Sequence, residues 1–75
     1  MGKKKALKYF KPSADDGISE AQFMCGLIHY QGEGVERDYG EAQQFWELAA
    51  AQGHQGAQQN LGVLRVVLRG ANVRR

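Results

Sequence analysis

Apolar residues recur along this chain at intervals of three and four rather than two, so the pattern predicts helices throughout. The first stretch, Lys3 to Phe10, lines up Ala6, Leu7 and Phe10. Pro12 follows. Inside a helix, proline removes a backbone hydrogen bond and costs ~3 kcal/mol or more, so this helix is expected to stop near Lys11 or kink there. Asp15, Asp16 and Gly17 then supply a turn. Ser19 stands as an N-cap, with Gln22 three residues on to complete a capping box. The second helix sets Ala21, Met24, Cys25 and Ile28 on one stripe, with Leu27 and Tyr30 beside it. The segment QGEGVER, Gln31 to Arg37, ends it through Gly32 and Gly34, with Val35 expected as an apolar plug under the loop. Asp38 and Glu41 repeat the capping-box spacing. A third stripe follows at Ala42, Phe45, Trp46, Ala49 and Ala50, with Trp46 expected at the centre of the core. After a turn at Gln52, Gly53 and His54, a last helix is expected from Gly56 to Arg69. Leu61, Val63, Leu64, Val66, Val67 and Leu68 cover most of its circumference, yet no further helix follows to cover its second side. Ala71 to Arg75 is expected to fray.

The helices are not independent. Ala21, Gln22 and Gly26 recur 36 residues later as Ala57, Gln58 and Gly62. The same offset sets Ala6 opposite Ala42, Tyr9 opposite Phe45, Phe10 opposite Trp46, Ala14 opposite Ala50 and Gly17 opposite Gly53. A period of this length marks a stacked repeat architecture. A glycine in mid-helix costs roughly 1 kcal/mol relative to alanine. Its presence at both Gly26 and Gly62 suggests that a neighbouring helix needs the space. The expected domain is single, over residues 1–75: a degenerate half repeat at 3–17, a full repeat at 19–53, a divergent half repeat at 55–69 and a tail at 70–75.

Several features converge on one family. They are the Ala-Gln opening at Ala21, the Cys-Gly step at Gly26, the Gly-x-Gly-Val loop of Gly32, Gly34 and Val35, the Asp38-Tyr39 entry, the Ala42 and Trp46 pair, and the Ala-Ala-x-Gln-Gly ending at Gly53. Over Ala21 to Gly62 the chain resembles the Sel1-like repeat, a relative of the tetratricopeptide repeat. It departs from that pattern at Cys25, at Pro12 and in lacking a Gly-x-Gly loop after Gly62. The resemblance implies an all-α fold: a short right-handed α-solenoid of about four helices in antiparallel pairs. It also implies an adaptor activity, holding other proteins in complexes without catalysis.

Charge divides the chain into three. Residues 1–11 carry +5, the body carries −7 and residues 65–75 carry +4, which makes the net charge of +2 a poor description of any one part. Basic ends can contact nucleic acid, but the only aromatic residues near them, Tyr9 and Phe10, belong to the core in the repeat register, so this reading ranks last. A single cysteine excludes an internal disulfide, and no stretch approaches the ~20 apolar residues of a membrane span. A soluble, cytoplasmic protein is the expectation.

Catalytic chemistry finds no footing. Cys25 lies on an apolar stripe and reads as a core thiol. His29 and His54 have no third ligand at recognisable spacing, so neither metal nor other cofactor is expected. Glu33, Glu36, Asp38 and Glu41 lack the alternation of a calcium loop, and Gly32 to Gly34 lacks the lysine of a phosphate cradle. Two functions remain. In the first, a concave face binds another protein or peptide through His29, Tyr30, Gln43, Gln44 and Gln59. In the second, the over-apolar last helix pairs two chains through Leu61, Leu64, Val67 and Leu68 to make a homodimer. A fragment of a longer repeat array accounts equally for the two half repeats.

Overall fold

The computed structural model describes residues 3–73, with side chains described for residues 6–70. The four helices are α1 (Lys3–Asp15), α2 (Ser19–Gln31), α3 (Tyr39–Ala51) and α4 (Gln55–Val73). Each packs on its neighbour in chain order, and the α2–α3 contact is the most extensive. The Cα envelope measures 38 × 30 × 14 Å. Its thinnest dimension matches two helix layers, with axes about 8–10 Å apart and Cα cylinders of about 2.3 Å radius.

The 36-residue period is physically a repeated turn. After α1, Gly17 N–H donates to the Ala14 carbonyl at 3.0 Å and Ile18 N–H to the Ser13 carbonyl at 3.1 Å. After α3, Gly53 N–H donates to Ala50 at 2.9 Å and His54 N–H to Ala49 at 3.1 Å. Gly17 has φ 90° and Gly53 φ 89°, a left-handed conformation that costs glycine nothing and a residue with a Cβ 1–2 kcal/mol. A side chain repeats with the backbone. Gln22 Nε2 donates to the Ala14 carbonyl, and Gln58 Nε2 to the Ala50 carbonyl, both at 3.2 Å. The glutamine of each Ala-Gln pair thus reaches back to bond the end of the preceding helix. The two turns are also tied together, because Gln52 Nε2 donates to the Gly17 carbonyl at 2.8 Å and to Gln22 Oε1 at 3.0 Å.

Two apolar clusters fill the interior. Ala14, Ala21, Cys25 and Phe45, with Leu7 and Phe10 against them, join α1 to α2 and α3. Ala42, Trp46, Ala49, Ala57, Leu61 and Leu64 join α3 to α4, with Phe23, Leu27 and Tyr30 of α2 packed alongside. Trp46 is 1% exposed, and its indole N–H donates to the Phe23 carbonyl at 3.0 Å. The indole lies in the space left by Gly26, where a methyl group would overlap its pyrrole edge. Met24 is half-buried outside both clusters, and Ala50 is half-buried against the second.

The structure corrects the sequence reading at several points. Helix α1 does not stop at Lys11; it runs through Pro12 to Asp15. Pro12 and Lys8 are both exposed, so water can reach the Lys8 carbonyl that loses its donor, and the Pro12 carbonyl still accepts from Asp16 N–H at 3.0 Å. Ser19 is not the N-cap of α2. Ile18, in extended conformation, takes that place without a side-chain bond, because it alone separates the turn glycine Gly17 from the first residue of α2, and Gln22 is drawn to Ala14 instead. Asp38 does cap α3, accepting from Glu41 N–H at 3.1 Å. Helix α4 begins at Gln55 and continues through Gly70 to Val73, since an exposed glycine weakens a helix without forbidding it. Of the expected frayed tail, Arg74 and Arg75 lie outside the described residues.

Candidate binding groove

Helices α2 and α4 carry the same sequence pattern and stand on either side of α3. Their N-terminal ends meet directly. Phe23 of α2 stacks on His54, with ring centroids 4.5 Å apart. His54 Nδ1 accepts from Ala57 N–H at 3.0 Å, which makes the imidazole the N-cap of α4. That acceptor role places the ring proton on Nε2, which lies 2.9 Å from Glu20 Oε1 and donates to it. A sequence reading that saw only a turn at His54 missed this, because imidazole caps have no characteristic spacing.

Farther along, α2 and α4 leave a cavity of about 130 Å³ between them, lined by Leu27, Tyr30 and Gln31 of α2, Asn60 and Val63 of α4, and Trp46 of α3. The wall is mainly apolar. Tyr30 is held in place by Tyr39 and Trp46, at ring-centroid distances of 5.2 and 5.4 Å. Gln31 and Asn60 supply amide groups to the lining. Sites for small molecules run to about 300–1,000 Å³, so this space suits a single apolar side chain better than a metabolite. A wider depression of about 570 Å³, bounded by Leu7, Lys8, Lys11, Pro12 and Asp15, lies on α1 alone and is open to the outside.

Of the five residues expected to share a binding face, only Tyr30 lines the groove. His29 turns towards the first cluster, its ring parallel to Phe45 at 5.8 Å, and its Nδ1 is buried with no hydrogen-bonding group in reach. Gln43 bonds Glu47 on α3 at 3.3 Å. Gln44 borders a separate shallow hollow with Leu48, and Gln59 is exposed on α4. The five do not converge, because spacing alone did not say which side of α3 each helix face meets.

The expected dimer residues are corrected more sharply. Leu61 and Leu64 are 5% and 0% exposed, inside the second cluster, and Leu68 packs against it. Val67 is half-buried. Among the described side chains, the large apolar residues that α4 presents to solvent are Val63 and Val66, 56% and 68% exposed. No group of three metal-ligating side chains occurs among the described residues. Burial pushes the Cys25 thiol above its ordinary pKa, with Lys11 opposing and Asp15 adding to the rise. No helix among the described residues is long and apolar enough to cross a membrane.

The sequence profile of the Sel1 repeat matches residues 3–18 and 19–54. The chain belongs to the Sel1 repeat family. The second match covers α2, the loop and α3, and the first covers α1 and its turn. Among curated relatives, DAP3-binding cell death enhancer 1 of Rattus norvegicus is 38% identical over 64 residues, and that of Mus musculus 47% over 64. The matched segment is 85% of this chain but only 13% and 12% of those proteins, so the chain spans about an eighth of the relatives it matches. No solved structure matches the chain.

Proposed function

We propose that the chain is a non-catalytic binding module that takes an apolar side chain of a partner protein into the α2–α4 groove. One observation carries this reading: the 130 Å³ cavity floored by Trp46, too small for a metabolite and with the amides of Gln31 and Asn60 in its lining. Its lining comes from three helices, so it is shaped only in the folded stack. The relatives' name, DAP3-binding cell death enhancer 1, supports a protein as the partner class, and DAP3 is the first candidate to test.

The test is calorimetric titration of DAP3 into the wild type and Val63→Asp. Val63 borders the cavity yet is more than half exposed, so the carboxylate charges the groove without entering the core. Affinity should fall about tenfold or more, with unchanged helicity by circular dichroism. Equal affinity of the two proteins removes the groove from the binding surface.

A further inference from the structure

The offset that relates the two turns also relates the faces of α2 and α4, and it leaves one face without its counterpart. On α2, Ala21, Cys25 and Ile28 are buried; on α4, their equivalents Ala57, Leu61 and Leu64 are buried as well. The opposite side of α2 is Phe23, Gly26, Leu27 and Tyr30, and α3 covers it, with Trp46 seated at Gly26. The equivalents on α4 are Gln59, Gly62, Val63 and Val66, all exposed, and a Cβ at Gly62 meets nothing within 4 Å. Gly62, Val66 and Gly70 follow one another at helical spacing, with the polar Gln59 one turn before them, so they form a continuous stripe of small and apolar surface. Arg65 and Arg69, both exposed, run along one flank of it, and α4 carries no acidic residue.

We propose that this stripe is the docking face for an acidic amphipathic helix of a partner protein, one that presents a tryptophan or phenylalanine among alanines. The aromatic ring enters the space at Gly62 as Trp46 enters that at Gly26, and carboxylates on the helix flank meet Arg65 and Arg69. Helix α3, the occupant of the matching face, has this chemistry: Phe45 and Trp46 among Ala42, Ala49 and Ala50, with Glu41 and Glu47 and no basic residue. Charge argues against a second copy as the occupant. Pairing α4 with its own copy brings guanidinium groups together, and the other outer helix, α1, exposes Lys8 and Lys11. The face is separate from the groove, apart from Val63 at their shared edge, so either can be lost alone.

The probe is a fluorescein-labelled peptide of residues 38–52, titrated with the intact chain and followed by anisotropy, with light scattering on the chain alone. We expect saturable binding below about 1 mM. Gly62→Leu, which fills the space, and Arg65→Glu with Arg69→Glu, which reverses the flank, should each weaken it about tenfold or more, while the groove variant Gln31→Glu leaves it unchanged. Raising salt from about 50 to about 500 mM should weaken it as well. Three results overturn the proposal: no binding in that range, binding indifferent to Gly62→Leu, or a dimer of the chain that Val66→Glu separates, which makes the occupant a second copy. Loss of DAP3 binding in Gln31→Glu, a residue that lines the groove and lies off this face, with peptide binding intact separates the two surfaces.

Discussion

Helices α2 and α4 are written in nearly the same pattern and end in different surroundings. Both bury a row on one side: Ala21, Cys25 and Ile28 in α2, Ala57, Leu61 and Leu64 in α4. Both carry a glycine on the other side, but Gly26 is filled by Trp46 and Gly62 by nothing. A residue's cost or benefit therefore follows from whether a neighbour has arrived, and the same letter at the same register position has opposite consequences. The α2 glycine is a packing requirement of the chain itself, whereas the α4 glycine meets no neighbour within the chain and there weakens its helix.

The strongest test of this comparison removes side chains from the rows it treats as equal. Ile28→Ala and Leu64→Ala should each cost about 2–5 kcal/mol in urea denaturation, whereas Val66→Ala should stay within about 0.5 kcal/mol. If Leu64→Ala is as mild as Val66→Ala, α4 is not held by its inner row. Next, the two glycines should respond with opposite sign. Gly26→Ala drives a methyl group into the indole and should cost about 1–3 kcal/mol, while Gly62→Ala should stabilise by up to about 1 kcal/mol, both read from denaturation midpoints. The helix starts differ as well. His54 caps α4 and Ile18 leaves α2 without a side-chain cap, so His54→Ala should cost about 1 kcal/mol and Ile18→Asp should gain about as much in thermal unfolding.

The last test is chemical. Cys25 is buried and its pKa raised, so less of it is thiolate at pH 8 than of an exposed cysteine. In Val66→Cys, iodoacetamide should modify residue 66 at least about tenfold faster than Cys25, as peptide mass mapping can show. Equal rates in the folded protein would mean that the α1–α2 interior opens readily.

Much of the fold was legible because it depends on periodicity. The stripes of α2 and α3, the 36-residue offset and the space required at Gly26 all follow from spacing, and spacing survives in a one-dimensional string. What was not legible depends on the third dimension. Pro12 was read by its intrinsic cost, which exposure of the Lys8 carbonyl reduces. Spacing assigns Gln22 to a local cap, whereas its bond goes back across the turn to Ala14. The α4 stripe is apolar nearly all round in sequence, which points Leu61 and Leu64 at an interface, and only the position of α3 divides it into an inner row and an outer one. The groove is hidden for the same reason: its lining residues come from three helices, and of the binding residues expected from sequence only Tyr30 is among them.

One indole joins these features. Trp46 is the single tryptophan of the chain; it is 1% exposed, bonded through its N–H to Phe23, set against Gly26 and at the floor of the groove. The protein therefore contains its own optical gauge, with two independent readings. Emission wavelength reports whether the indole has met water, and so follows unfolding. Emission intensity in the folded state responds to what lies above the ring, and so follows the filling of the groove. A titration that changes brightness without shifting colour would report occupancy in the unlabelled protein, while a red shift would show that the stack itself had opened.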